Sequence, residues 1–151
     1  MPQSLANALM HIVFSTKERR ALFQSADLRN EMHRYLAGIS AKLNCPAVIV
    51  GGATDHVHLL ANQARTIALA EWVKELKRAS SIWAKEKTPD WNLFQWQAGY
   101  GAFSVSQSQA GRVKQYIESQ EEHHQHSSFQ DEFRRLLQRH NIAFDEQYVW
   151  D

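Results

Sequence analysis

Two histidines stand one residue apart in an apolar, β-prone run, and this run constrains the fold more than any other part of the chain. It reads DHVHLL over residues 55–60, with imidazoles at His56 and His58. In a strand, alternate side chains share a face, so the two rings stand together about 7 Å apart while Val57 points the other way. Burying two imidazoles without polar partners is costly. Two interpretations stay open from these residues alone: a pair of metal ligands, or two hydrogen-bonded histidines at a sheet edge.

The spacing by itself is weak evidence for a metal site. Among the eight histidines of the chain, His124 and His126 form a second pair with the same spacing, in a polar stretch. A motif this short has a high false-positive rate, so its setting decides its meaning. We interpret His123, His124 and His126 as a polar helix end and assign them no metal.

The composition indicates one globular domain over residues 1–151. A chain of 151 residues with 44% hydrophobic and 22% charged residues can bury a sizeable core. The single Cys45 excludes an internal disulfide framework and agrees with a reducing compartment. No apolar run reaches the roughly 18 residues of a membrane span, and residues 1–8 lack the pattern of a signal peptide, so we expect a cytoplasmic protein. The net charge of +1 predicts no general affinity for polyanions, so a nucleic-acid surface requires local clustering of the 17 Lys and Arg residues.

Hydrophobic periodicity predicts an α+β fold. Six segments alternate between strand and helix patterns. In chain order they are a strand at 9–15, a helix with apolar positions from Leu28 to Leu43 capped by Ser25 or Asp27, strands at 47–50 and 55–61 around a Gly51–Gly52 turn, a helix at about 66–87, and a strand at 94–106. This order matches the ferredoxin-like, RRM-like βαββαβ sandwich with an antiparallel sheet.

The rest of the chain is predicted to be helical. One helix covers about 112–122, a second follows the capping signal at Ser127 and Ser128, and a tail at 144–150 packs back on the body. Tyr116 and Gln120 are four residues apart on the first of these helices and therefore share a face. A carboxamide oxygen can complete the coordination of a hard cation beside two imidazoles, and a phenol oxygen can attack phosphorus. The alternative is a packing tyrosine and a solvated glutamine.

Five ordered segments carry a family resemblance over nearly the whole chain. They are DHVHLL at 55–60, WVKELKRASS at 72–81, WQAGYGAFSVS at 96–106, VKQYIESQ at 113–120 and the tail at 142–150. Together they resemble the single-tyrosine HUH transposases of the IS200/IS605 class and their REP-associated relatives. The C-terminal helices then carry the tyrosine.

This resemblance implies a transposase and endonuclease that cleaves and rejoins single-stranded DNA at hairpin-flanked element ends. Tyr116 corresponds to the nucleophile, which forms a 5′-phosphotyrosine, while His56, His58 and Gln120 correspond to the metal ligands. The family uses Mg²⁺ or Mn²⁺ and no nucleotide cofactor. It also implies a bacterial homodimer in which the tyrosine helices can be exchanged, with residues 107–111 as the hinge. The residues do not name a base for Tyr116.

Contacts to DNA are the least constrained prediction. Seven basic residues could form a local track for phosphates: Arg19, Arg20, Lys74, Lys77, Arg78, Arg112 and Lys114. Four aromatic residues could stack bases or belong to the core: Trp91, Trp96, Tyr100 and Phe103. Two other functions stay open, a catalytically inactive module that binds single-stranded nucleic acid on the same fold, and a metal-stabilised structural protein.

Overall fold

A computed structural model of the protein describes residues 2–151. These residues form four strands and five α-helices. In chain order they are β1 (Leu9–Ser15), α1 (Ala26–Lys42), β2 (Ala47–Gly52), β3 (His56–Asn62), α2 (Leu69–Lys87), β4 (Gly101–Val105), α3 (Ala110–Glu118), α4 (Gln120–His123) and α5 (Phe129–Arg139). No helix in this part of the chain combines the length and the apolar character that crossing a bilayer requires.

The four strands form one antiparallel sheet in the order β2-β3-β1-β4. The two central strands pair over their full length, from Leu9 opposite Asn62 to Ser15 opposite His56. With α1 and α2 as the crossovers, this order is that of the split βαβ sandwich. The predicted fold class is therefore confirmed.

Helices α1 and α2 cover one face of the sheet. Inward-pointing residues of β1 and β3 pack against them in the largest hydrophobic cluster, which includes Phe14, Val57, Met32 and Trp72. The Oγ atom of Ser25 accepts a hydrogen bond from the Leu28 backbone N–H, so Ser25 rather than Asp27 caps α1. Trp91, Trp96 and Phe103 are buried, as the core alternative predicted for them, whereas Tyr100 is partly exposed.

The C-terminal helices cover the opposite face. Phe129, Phe133, Leu136 and Leu137 of α5 pack on this face, and Ile117 of α3 packs on Leu60 of β3 beside them. The tail reaches the same cluster through Phe144, Val149 and Trp150, as predicted. Ser128 caps α5 by accepting a hydrogen bond from the backbone N–H of Asp131. Both faces of the sheet are thus covered, and polar residues on the second face are buried beneath α3 and α5.

The last predicted strand differs from the sequence prediction for a tertiary reason. The strand expected at 94–106 is reduced to β4 and an isolated bridge between Thr16 and Trp96. Between them, the Lys77 ammonium group donates to the backbone carbonyls of residues 97, 98 and 99, at 2.8, 3.2 and 2.6 Å. Successive carbonyls of a strand alternate in direction, so three that converge on one ammonium group exclude a strand there.

The tyrosine helix is also shorter than predicted. The helix expected at 112–122 begins at Ala110, ends at Glu118 and is followed by the short α4, with Ser119 between them. The hydroxyl of Ser119 donates to the Gln115 carbonyl at 2.7 Å, and such a side-chain bond competes with the helical backbone pattern. The predicted turn glycines, Gly51 and Gly52, instead belong to β2, and α2 starts at Leu69 after a turn rather than at about residue 66.

Candidate active site

Strand β3 presents His56 and His58 to the face covered by α3 and α5. Both side chains are fully buried, while Val57 between them enters the core on the other face, as the strand alternation predicted. Ser15 and Val13 of β1 stand opposite the two histidines in the register. The pair therefore lies on a central strand of the sheet, at the end where β3 begins.

The Nδ1 atom of each imidazole forms a hydrogen bond with a neighbouring side chain. His56 Nδ1 lies 2.7 Å from Asp55 Oδ1, and His58 Nδ1 lies 2.7 Å from Nε2 of His11 on β1. An ionised carboxylate only accepts, so His56 carries its hydrogen on Nδ1 and presents Nε2 to the site. His11 is buried as well and stacks on His58 with ring centroids 5.0 Å apart. The sequence analysis did not single out His11, although it sits in the apolar run of β1.

Helices α3 and α4 bring Tyr116 and Gln120 to the histidines within the same chain. Gln120 is fully buried, and its Oε1 lies 2.9 Å from His56 Nε2. Tyr116 is edge-on to His58, with ring centroids 5.7 Å apart. Although Ser119 separates the two helices, the Gln120 amide still donates to the Tyr116 carbonyl at 3.4 Å. The four residues that sequence reasoning placed in one site are therefore adjacent.

Glu132 of α5 is a site residue that the sequence analysis missed. Its carboxylate accepts a hydrogen bond from the Tyr116 hydroxyl and another from the Gln120 amide, the latter at 2.9 Å. Its other oxygen, Oε1, lies 3.0 Å from His58 Nε2 and 3.4 Å from His56 Nε2. A signal was present, because residue 132 lies on the apolar stripe of α5 with Phe129 and Leu136, where a carboxylate needs a buried partner.

His124 also enters the site, which corrects its interpretation as part of a polar helix end. Its ring packs edge-on to His56 with centroids 4.4 Å apart, and its Nε2 lies 3.1 Å from Glu132 Oε1 without hydrogen-bond geometry. His123 lies farther out, with Nε2 3.7 Å from Glu132 Oε2, while His126 is exposed. The three histidines are close together in the sequence, and only the folded connection between α4 and α5 determines that His124 enters the site while His126 is exposed.

The buried site shifts several protonation equilibria. Burial alone would lower the pKa of His56, but its hydrogen bonds to Asp55 and Glu132 raise that pKa to about 9. Burial lowers the pKa of His58, and burial together with the neighbouring His58 lowers the pKa of His11 well below its usual range. Burial would raise the pKa of Glu132, yet the surrounding histidines hold it far below its usual range. Burial and the Glu132 carboxylate raise the pKa of Tyr116 well above that of a free phenol.

This set of residues fits a divalent metal ion. His56, His58 and Glu132 each offer a ligand atom, and these atoms lie within 4.8 Å of one another. The Nε2 atoms of both strand histidines face the Glu132 carboxylate, and the Gln120 carboxamide oxygen faces His56 Nε2. The Nδ1 bond of His56 to a carboxylate is the arrangement that orients metal-binding histidines. A His/Glu group that suits a metal ion is therefore present.

An open cavity of about 420 Å³ lies beside Tyr116, between β4, α3 and α5. Tyr116 and His11 line its inner end, and Arg112 and Arg139 line it as well. Arg112 was among the basic residues expected to contact DNA. Arg139 was not, because nothing in the sequence places the end of α5 beside α3.

None of the other six basic residues lines this cavity. Lys74, Lys77 and Arg78 lie on α2, which packs on the opposite face of the sheet. Lys77 is engaged by the three carbonyls described above, and burial lowers its pKa to about 8. Three other basic residues form ion pairs with acidic neighbours: Arg78 with Glu75, Arg20 with Glu18 and, at a longer distance, Lys114 with Glu118. Arg19 lies over the Trp150 ring.

Comparison with known proteins identifies the family. Residues 4–120 match the family model described as IS200-like transposases. The ISDra2 transposase TnpA of Deinococcus radiodurans is 26% identical over 115 residues, which cover 73% of this chain and 81% of that protein.

Solved structures agree with this match. A candidate transposase from Deinococcus radiodurans R1 superposes with a TM-score of 0.59 at 25% identity, over 80% of this chain and 96% of that one. A REP-associated tyrosine transposase bound to a REP hairpin shares the fold, with a TM-score of 0.52 at 9% identity, over 80% of this chain and 68% of that one. Because the family model covers most of the sequence, and its last matched residue is the glutamine of the site, this chain belongs to the IS200-like transposase family.

Proposed function

We propose that this transposase is a metal-dependent endonuclease that cleaves and rejoins single-stranded DNA at hairpin-flanked element ends through a 5′-phosphotyrosine intermediate. The observation that carries the proposal is the convergence of the Tyr116 hydroxyl and the Gln120 carboxamide on the histidine pair of β3, all within one chain. A fold that only bound nucleic acid would have no need for this buried arrangement, which costs desolvation of several polar groups.

His56, His58 and Gln120 would hold the metal ion, as their convergent Nε2 and Oε1 atoms suggest. A bound Mg²⁺ or Mn²⁺ would neutralise the non-bridging oxygens of the scissile phosphate and orient it. Asp55 and His11 keep the two rings turned toward the site through their Nδ1 atoms.

Tyr116 supplies the nucleophile. Its raised pKa keeps the phenol protonated at neutral pH, so the proton must leave during the attack. The hydroxyl already donates to Glu132, which therefore orients the oxygen and is the acceptor in contact with that proton. In the reaction, a bond forms between the phenol oxygen and phosphorus, the bond from phosphorus to the 3′-oxygen breaks, and that oxygen leaves as a hydroxyl with a proton from solvent. The reverse attack by a 3′-hydroxyl reseals a strand, so no nucleotide cofactor is needed.

The cavity beside Tyr116 is the proposed path of the strand. It opens next to the phenol, and its two guanidinium groups, from Arg112 and Arg139, match the charge of a phosphodiester backbone. The relative bound to a REP hairpin supports a hairpin as the structural context of the cleavage site.

The proposal is tested by trapping the covalent intermediate. Labelled oligonucleotides that carry the hairpins flanking this gene are incubated with the protein and Mn²⁺, and adducts that survive denaturation are counted on a gel. We expect an adduct with the native protein and with Tyr35→Phe, a tyrosine on the far side of the sheet, and none with Tyr116→Phe.

Three results would contradict the proposal. An adduct with Tyr116→Phe would mean that another residue is the nucleophile. Salt-sensitive binding of every hairpin without any adduct would indicate a binding module instead. Unfolding on chelation of the metal would indicate a structural metal site.

A further inference from the structure

We infer that Glu132 and His124 join His56, His58 and Gln120 as ligands of the metal ion, so that the segment after residue 120 supplies two donors of its own. This inference rests on the proposed metal dependence of the site. Both residues lie beyond the part of the chain that matches the family model, which ends at residue 120. Neither was a candidate ligand on sequence grounds.

Glu132 is the residue that two groups of candidate ligands share, His56 with His58 and His123 with His124. Its Oε1 lies within 3.4 Å of the Nε2 atoms of His56, His58 and His124. The carboxylate is 2% exposed, so water cannot compensate its charge. A buried carboxylate requires a cation or several hydrogen-bond donors, and a metal ion bound by the same rings supplies that cation.

The hydrogen-bonding pattern of His124 leaves its Nε2 free for a metal ion. Its Nδ1 lies 2.6 Å from the Ser127 carbonyl, which can only accept, so Nδ1 carries a hydrogen. The side chain is nine-tenths buried, and Nε2 has no hydrogen-bond partner among the described residues. This atom lies 3.1 Å from Glu132 Oε1. A cation held between the two atoms would give Nε2 the partner that it lacks.

All three rings share this design. Each has its Nδ1 atom bonded away from the site, to Asp55 for His56, to His11 for His58 and to Ser127 for His124. Each then turns Nε2 toward Glu132. Fixing the far nitrogen in this way is the usual means of orienting a metal-ligating imidazole. A position at a polar helix end would not by itself require His124 to adopt the same ring orientation as the two strand histidines.

Metal binding to the full-length protein without DNA tests the inference. Free Mn²⁺ is titrated and followed by electron paramagnetic resonance, and Co²⁺ is added separately because its visible spectrum reports changes in the coordination sphere. We expect His124→Ala and Glu132→Gln each to weaken Mn²⁺ binding by about tenfold or more. Both should also change the Co²⁺ spectrum. His126→Ala, an exposed histidine of the same segment, is the matched control and should bind like the native protein.

Two results would overturn the inference. One is Mn²⁺ affinity in His124→Ala equal to that of His126→Ala. The other is tighter Mn²⁺ binding in Glu132→Gln, which would make the carboxylate a competitor of the ion rather than a ligand. Glu132→Asp keeps the charge with a shorter reach, and circular dichroism of each metal-free variant establishes that it is folded.

The assay for the covalent adduct distinguishes failure of this inference from failure of the proposed function. If the adduct forms while both variants keep native metal affinity, only the ligand assignment fails. If both variants lose affinity but the native protein forms no adduct, the metal site stands and the nuclease proposal fails.

Discussion

The pKa values of buried histidines in this protein shift in opposite directions, depending on the partners of each ring. In the site, carboxylates compensate burial and the pKa of His56 rises to about 9. His33 on α1 has no such partner, and its Nε2 is buried without a hydrogen bond. Burial and the neighbouring Arg29 lower its pKa to about 4, against a weaker opposing effect of Glu121, while His56 and His58 on β3 lower it slightly further. His33 is therefore neutral in the folded protein where the unfolded chain would protonate it.

This difference predicts a loss of stability in mild acid. Because the folded pKa lies below the unfolded value of 6.5, the contribution of His33 is fully present above pH 6.5 and is lost as the pH falls toward 4. A shift of this size corresponds to at most about 3 kcal/mol. We expect His33→Gln, which cannot titrate, to reduce the fall in unfolding free energy between pH 7 and pH 4, measured by urea denaturation. An unchanged pH profile would contradict the assignment.

At the level of secondary-structure elements, the close packing of α3 against β2 determines the position of Tyr116. A Cβ atom on Gly51 of β2 would lie 2.7 Å from the Ile117 carbonyl oxygen and 2.8 Å from its Cγ2 atom. Only glycine permits this approach, because the first of these contacts is with backbone that belongs to the helix. Tyr116 is the residue directly before Ile117, so a shift of α3 moves the proposed nucleophile.

Gly51→Ala should therefore impair cleavage more than folding. We expect slower formation of the tyrosine adduct, with a loss of stability of about 1–3 kcal/mol from overpacking. Gly38→Ala in α1, where a Cβ meets nothing within 4 Å, is the control. It should stabilise the protein by about 0.5–1 kcal/mol and leave the adduct rate unchanged. Equal adduct rates in both variants would show that the contact does not position Tyr116.

Sequence periodicity predicted the elements of the sandwich but not every boundary or site residue. Strand β1 and the cap of α5 follow from local patterns and were predicted correctly. The shortened β4 depends on Lys77, which lies on the preceding helix α2 and contacts the backbone of residue 97, 20 positions later. His124 and Glu132 reach the site only through the fold of the α4–α5 connection, and no local spacing relates them to His56.

At the scale of the whole molecule, one chain contains every residue of the candidate site. Helix α3 begins directly after a single turn at residues 107–109 and packs on β2 and β3 of its own chain. The family resemblance suggested a dimer with exchanged tyrosine helices, hinged at 107–111. Because all residues of the candidate site lie in one chain, we expect a single subunit to carry out the proposed cleavage.

A mixing experiment tests this arrangement. His56→Ala and Tyr116→Phe proteins each lack one part of the site, and a site built within one chain cannot be restored by combining them. We expect the mixture to form no adduct at any protein ratio, after unfolding and refolding the two variants together. Recovery of the adduct would show that the helix of one subunit completes the site of another.

The position of Glu132 also sets when the protein can become active during its synthesis. The carboxylate lies 74 residues after His58, which it contacts. The sheet with α1 and α2 is complete before α5 leaves the ribosome, so a nascent chain can fold its scaffold while the reactive centre still lacks its acidic member. If the proposed cleavage of DNA requires Glu132, a nascent chain gains that activity only after α5 has folded, and a chain stalled before α5 would not cut DNA.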